Sequence, residues 1–243
     1  MNIIVPMAGS DELFQQKGYS YPKNFIEIMR KPLFQCVYEN LSLLSDTKFI
    51  FIVKHEDVLK YHLDRSLKLL VPDCEIIVQE DKTAGAACSV LLAAKYIDND
   101  DSLIVANGDQ IILSNICTAI DTFKKENADG GIIPFESVHP RWSYVKLNKD
   151  NVVIEAAEKR PISKCATAGF YYFEKGSDFV HAAMEMIRKD ANVDGKYFVC
   201  PVYNEMILNQ KKIITYQINP EQYFSLASPE GIEEYENFLK SKS

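Results

Sequence analysis

The sequence predicts an α/β fold, one mixed and mostly parallel sheet flanked by helices. Three observations lead to it. In the first half, short apolar runs alternate with segments whose apolar residues recur at helical spacing, which implies parallel strands joined by right-handed crossovers. The run Phe49-Ile50-Phe51-Ile52-Val53 holds no polar residue, the pattern of a strand covered on both faces. In the second half the alternation gives way to a hairpin signature around residues 148–151, which brings antiparallel pairing into the sheet.

Taken in order, residues 1–7 read as the first strand. Residues 31–44 place Leu33, Val37, Leu41 and Leu44 on one helical face. Residues 49–53 form the second strand, and 57–70 a second amphipathic helix closed by Val71-Pro72-Asp73. Residues 75–79 are the third strand, 86–96 a helix rich in small residues, and 103–106 the fourth strand. Beyond it, 115–127 are a helix, 130–135 a strand, 144–147 and 152–155 a hairpin, 168–173 a strand and 177–189 a helix. Residues 196–199 are a short strand or an extended loop before a helix at 202–209. Residues 213–218 close as a strand and 229–240 as a charged helix. No linker, low-complexity run or internal repeat divides the chain, so residues 1–243 are expected to form one domain.

Composition bounds the function. A chain of 243 residues, 47% hydrophobic and 25% charged, has an ordinary soluble makeup and room for a sizeable core. Its formal net charge of -7 argues against a general nucleic-acid binder and leaves room for a local basic pocket. The six cysteines include no C-x-x-C pair, which suits neither a zinc site nor a small disulfide framework. Reduced thiols in a cytoplasm are expected. No apolar stretch reaches the length of a membrane span, and Met1 leads into a strand without the basic start of a signal peptide. The four histidines, His55, His62, His139 and His181, have no metal-ligand spacing. Neither G-x-S-x-G nor the P-loop consensus occurs.

In sheets of this kind the ligand lies beyond the carboxyl ends of the strands, so the loops after the first, third and fourth strands are expected to converge. After the first, the small residues Ala8-Gly9-Ser10 let backbone amides approach a triphosphate. Tyr21-Pro22-Lys23 then returns a cation behind a proline that aims the chain. A tight turn with a surface lysine uses the same residues. After the fourth strand, Asn107-Gly108-Asp109-Gln110 sets a carboxylate where it can hold Mg²⁺ against phosphate oxygens. Asn-Gly-Asp is equally good β-turn chemistry. Thr83-Ala84-Gly85-Ala86-Ala87 opens a helix with small residues that admit a flat base or ribose, or simply pack. Glu158-Lys159-Arg160-Pro161 puts a carboxylate and a cation at a strand end, although charged tetrapeptides are usually solvated surface.

In this order the segments resemble a known family. A first strand ending in Met7-Ala8-Gly9, the Tyr-Pro-Lys, a Lys-Pro-Leu helix start and Gly85-Ala86-Ala87 are shared with nucleotidyltransferases that activate sugar-1-phosphates and related phosphates. Asn-Gly-Asp-Gln and Glu-Lys-Arg-Pro complete the set, and Ala168-Gly169-Phe170-Tyr171-Tyr172-Phe173 is similar to the family's G-x-Y-x-F strand. The resemblance implies a Rossmann-like nucleotide-diphospho-sugar transferase fold of the GT-A-like type. It also implies a nucleotide-binding half, 1–110, and an acceptor-binding half, 111–243. The stretch from Val193 to Asn204 resembles a narrower branch found with capsule and surface-polysaccharide genes, which includes CTP:phosphoglutamine cytidylyltransferases.

The resemblance also implies roles. Ala8, Gly9 and Ser10 lie under the nucleotide, Lys23 neutralises the phosphates, and Asp109, after Asn107 and Gly108, holds Mg²⁺ or Mn²⁺. Glu80 or Gln79 meets the base edge, with Gly85 and Ala86 against base and ribose. Glu158, Lys159 and Gly169 serve the acceptor, Lys159 touching its phosphate. Two positions depart from the family pattern. The usual G-x-G-T-R loop reads Gly9-Ser10-Asp11-Glu12-Leu13-Phe14 and lacks the arginine, and Ser225 stands where many members carry a second metal carboxylate.

The expectation is a Mg²⁺-dependent nucleotidyltransferase joining a nucleoside triphosphate, CTP favoured, to a phosphorylated small molecule with release of pyrophosphate. A glutamate at the base edge accepts but does not donate, which suits cytosine's exocyclic amine. A uridylyl- or thymidylyltransferase for a sugar-1-phosphate and a non-catalytic nucleotide-binding regulator are the alternatives. A glycosyltransferase is a further rival, but the end of the fourth strand reads Asn107-Gly108-Asp109 where its D-x-D signature would stand.

Overall fold

A computed structural model of the chain describes residues 1–242. The first four strands are β1 (Asn2–Pro6), β2 (Lys48–Lys54), β3 (Glu75–Gln79) and β4 (Leu103–Ala106). β1 lies between β2 and β4, parallel to both, with Ile3 opposite Phe49 and Ile104, and β3 runs parallel outside β2. Strand alternation explains the unbroken apolar runs. Ile3 and Val5 enter the core with Leu33, Val37 and Phe51, while Ile4 enters the core on the other face with Ile50, Val90 and Phe173.

The second half adds β5 (Gly130–Glu136), β6 (Ser143–Leu147), β7 (Val153–Glu158), β8 (Cys165–Phe173) and β9 (Ile213–Thr215). β6 and β7 are the expected antiparallel hairpin, and the Asn148 side chain shapes its turn by accepting from the Asp150 and Val152 amides. β8 stitches the halves together. β5 accompanies it antiparallel, while its other side pairs first with β6 and then, through Phe170–Phe173, with β4. The sheet therefore runs β7-β6-β8-β4-β1-β2-β3, with β5 and then β9 branching from β8. Asn204 closes the β7 edge, its amide donating to and accepting from the Ala156 backbone at 2.8 Å each way.

The structure differs from the expected elements in places with physical causes. The single helix expected at 57–70 is two, His55–Tyr61 and Leu63–Leu70, separated by His62 at φ 53. In one continuous helix Leu63 would point roughly 120° away from Asp57. The left-handed residue lets Asp57, Leu63 and Leu67 all be buried. The small-residue helix expected over 86–96 is Ala86–Leu91 followed by Ala94–Ile97, because Leu92 and Ala93 tighten to three-residue bonds. The helix expected from Lys31 starts at Leu33, with Pro32 as its extended N-cap. Residues 196–199 are an extended loop, with one isolated bridge between Val193 and Lys196. A ribbon absent from the expectations pairs Gln110–Ile112 with Tyr223–Ser225.

All six cysteines are free, and no helix among the described residues is long and apolar enough to cross a membrane.

The joint in β8 is Gly169, at φ 60, whose carbonyl accepts from the Asn107 amide at 2.9 Å and the Gln110 side chain at 3.0 Å. A Cβ there would sit 2.2 Å from Asn107 Nδ2 and 2.4 Å from Gln110 Oε1. Gly169→Ala is expected to cost about 2–4 kcal/mol in urea denaturation through left-handed strain and displacement of the loop after β4.

Candidate active site

The site starts at Lys23. Pro22 holds φ at -61 and launches a single turn, Lys23–Phe25, that buries the Lys23 side chain. Its Nζ donates to Asp109 Oδ2 at 2.7 Å. Asp109 lies just past β4, pinned by its carbonyl, which accepts from the Leu226 amide at 2.7 Å. Gly9 gives the ammonium its room, since a Cβ there would be 3.1 Å from Nζ. Burial works against the Lys23 ammonium. The Asp109 carboxylate, with Asp11 and Asp57 farther off, outweighs that and raises its pKa above the ordinary lysine value. The loops after β1 and β4 thus meet, two of the three expected to converge.

Their neighbours hold these two in place. Asn107 and Gln110 anchor to Gly169, and Gly108 is tight against the end of β1, where a Cβ would come within 2.9 Å of the Pro6 carbonyl. Ser225 faces Gln110 across the ribbon and precedes the Leu226 that holds Asp109.

Four further residues around Lys23 belong to no motif. Asp11, 8% exposed, accepts from the Lys23 amide at 3.0 Å through Oδ1, and its Oδ2 pairs with Lys54. Lys54 ends β2 and lies 3.7 Å from Asp57, whose pKa is raised chiefly by burial. Asn24 donates to the Met7 carbonyl at 3.1 Å and to Asp57 at 3.4 Å. The one sequence signal was a lysine closing an otherwise apolar strand.

At the end of β3, Gln79 is buried and its Oε1 accepts from Ser89 Oγ at 2.8 Å. Glu80 turns outward, 65% exposed at its side chain, and pairs with His55. Gly85, at φ 115, is needed by the chain itself, because a Cβ would lie 2.4 Å from the Tyr197 carbonyl. That segment docks through Tyr197 N to Ala84 O at 2.7 Å and Ala87 N to Tyr197 O at 3.0 Å. Ala86 is the partly buried first residue of the helix beside it.

In the second half of the sheet, Glu158 ends β7 opposite Ser143, whose Oγ donates to it at 2.5 Å. Tyr171, bonded to Thr167 at 2.9 Å, and Cys200 are buried nearby, and desolvation raises the pKa of both. Lys159, in the left-handed region at φ 52, donates its amide to Trp142 O and carries its Nζ 5.3 Å from the centre of the Phe198 ring. A cavity of about 240 Å³ adjoins, lined by Glu158, Arg160, Asn192, Asn204 and Glu205 among others. Among the described residues, neither Glu158 nor Lys159 bonds to Lys23 or Asp109.

No cluster of three or more His, Cys, Asp or Glu suited to a metal occurs among the described residues. Asp109 still fits a hard divalent cation, since Mg²⁺ commonly takes one or two protein carboxylates and completes its shell with phosphate and water.

The α/β sheet thus carries a buried ammonium paired with a carboxylate at its strand ends. The nucleotidyl transferase family matches residues 18–214, and the chain belongs to that family. It is 30% identical over 177 residues to the bifunctional sugar-1-phosphate nucleotidylyltransferase/acetyltransferase of Sulfurisphaera tokodaii, an alignment covering 70% of this chain and 40% of that protein. This chain thus spans well under half of that relative. Its fold is similar to that of the nucleoside-diphosphate-sugar pyrophosphorylase from Vibrio cholerae RC9, with a TM-score of 0.82, 25% identity and coverage of 97% and 99% of the two chains. It is also similar in fold to the inositol-1-phosphate CTP transferase of T. maritima, at TM-score 0.76 and 13% identity over 98% and 94%.

Desolvation raises the Glu158 carboxyl above the usual range, with the Ser143 hydroxyl and Lys159 opposing. The folded state then holds that proton more tightly than the unfolded chain, so stability falls as pH climbs through the range between the two values. Glu158→Gln should raise the melting midpoint at about pH 8 and leave it unchanged near pH 4. Thermal scans at both values check this.

Proposed function

We propose that the chain transfers a nucleoside monophosphate, CMP favoured, from a nucleoside triphosphate to a phosphorylated small molecule. The observation that supports this most is the contact of Lys23 with Asp109, which joins the loops after β1 and β4 in a member of the nucleotidyl transferase family. An acceptor phosphate oxygen attacks the α-phosphorus, the new P–O bond forms, and the α–β bridge breaks to release pyrophosphate. The acceptor is already an anion, so no protein nucleophile is required. Lys23 meets charge at the reacting phosphorus, and Lys159 orients the acceptor phosphate. Asp109 would hold Mg²⁺, which supplies charge neutralisation on the phosphates when bound.

Residues 1–110 serve the nucleotide and 111–243 the acceptor. The base falls to Gln79, whose buried amide is oriented by Ser89, whereas Glu80 is exposed on His55. An amide both donates and accepts, so it fits either pyrimidine edge, and uridylyl or thymidylyl transfer is the second reading. The acceptor is a sugar phosphate, by likeness to the Sulfurisphaera and Vibrio proteins, or a phosphoglutamine-type molecule, by the resemblance over Val193 to Asn204. That resemblance also supports a cytoplasmic role in making capsule or surface-polysaccharide precursors. Ser225 and the missing loop arginine favour the non-catalytic alternative, a nucleotide-binding regulator.

Pyrophosphate release with each of four nucleoside triphosphates, against a panel of sugar and amino-acid phosphates, separates these readings. Asp109→Asn should keep the fold and lose roughly 10²–10³-fold in kcat, while Lys159→Ala raises the acceptor KM about tenfold or more. Near-normal turnover of Asp109→Asn at saturating Mg²⁺ would sink the proposed metal role. Gln79→Ala should raise the nucleotide KM about tenfold. Glu80→Gln should leave the CTP-to-UTP ratio of kcat/KM unchanged, and a narrowed ratio would return base reading to Glu80.

A further inference from the structure

We propose that Asp11 and Lys54 are positioning residues for Lys23, a clamp that ties the loop after β1 to the end of β2. The proposal rests on the phosphate role given to Lys23. Asp11 occupies the N-cap of the helix Glu12–Gln16, where a carboxylate ordinarily accepts from its own helix, yet it makes no side-chain cap bond. Only its carbonyl serves the helix, accepting from Phe14 and Gln15 at 3.0 Å each. The carboxylate is turned inward. One oxygen takes the amide of Lys23, twelve residues downstream, and the other takes the ammonium of Lys54.

Each part of the clamp needs the others. A buried carboxylate without a countercharge is costly, and Lys54 supplies that charge from the last residue of β2, with its side chain 23% exposed. Lys54 also lies near Asp57, which bonds Asn24, the residue after Lys23. The segment bearing Lys23 is thus held on both sides. A lysine side chain loses much rotamer freedom when fixed, and fixing its backbone reduces what the ordering of the ammonium must overcome. Lys54 sits between two carboxylates and brings no net positive charge of its own. Its part is to hold the loop, in a chain whose loop lacks the family's arginine.

The test pairs amide exchange with kinetics, on Asp11→Ala, Asp11→Asn, Lys54→Met and the Asp11→Asn/Lys54→Met double variant. Exchange of the peptide covering residues 18–26 reads the clamp without needing turnover. Asp11→Ala and Lys54→Met should speed exchange at the Lys23 amide about tenfold or more and lower kcat for pyrophosphate release ~10–100-fold, with the acceptor KM within about twofold. Asp11→Asn keeps an oxygen for the Lys23 amide, so its protection should stay closer to wild type, and its kcat should fall less than that of Asp11→Ala. The double variant should lose less than the product of its parts, since both changes break one pair. Unchanged exchange in Asp11→Ala or Lys54→Met overturns the clamp, as does an acceptor KM that moves as far as kcat. If either fails to fold, the double variant decides: exchange at the Lys23 amide no faster than in the wild type overturns the clamp, and faster exchange supports it. A wild type inactive with every substrate pair refutes the proposed function, while the exchange data still decide the clamp.

Discussion

The ammonium of Lys23 and the carboxylate of Asp109, 2.7 Å apart and 86 residues apart in sequence, form the contact on which the rest of the cleft depends. Such a pair is expensive to bury and contributes little net stability, because desolvation offsets its attraction. The fold nevertheless commits several features to it. Gly9 leaves room for the ammonium, Pro22 sets the backbone that carries it, and Leu226 and the Gly169 joint fix the loop bearing the carboxylate. A structure that invests in a contact of low net stability points to chemistry at that contact.

The sheet makes this meeting possible. β1 lies between β2 and β4, all running the same way, so their carboxyl ends deliver Gly9, Lys54 and Asp109 to one rim. β8 then crosses antiparallel from the Glu158 side to the Asp109 side, and its kink at Gly169 is the fixed point between them. The place of each group along the sheet is therefore set by strand register. The outward turn of Glu80 and the burial of Gln79 follow from the same alternation at the end of β3.

Much of this was legible in the chain. The unbroken apolar runs located the central strands, and Pro22-Lys23 and Asn107-Gly108-Asp109 were visible because small and turn-forming residues beside a lone charge at a strand end form a local signal. What stayed hidden was non-local. Asp11 and Lys54 are 43 residues apart, and the only local mark is that Lys54 closes an apolar strand. The ribbon joining Gln110–Ile112 to Tyr223–Ser225 has strands of three residues, too short for a period to show. Gly85 could be singled out, yet whether its bare backbone admits a ligand or the Tyr197 segment depends on a contact more than a hundred residues away. The break at His62 was missed because a helical period can be followed through one left-handed residue without changing the apolar count.

The charge inventory of the cleft carries the last step. Around Lys23 stand two ammonium groups, its own and that of Lys54, against the three carboxylates of Asp11, Asp57 and Asp109. The first loop adds a further acid in Glu12 and no base. A nucleoside triphosphate entering here would meet a rim that its own charge does not favour, so side chains alone do not account for its binding.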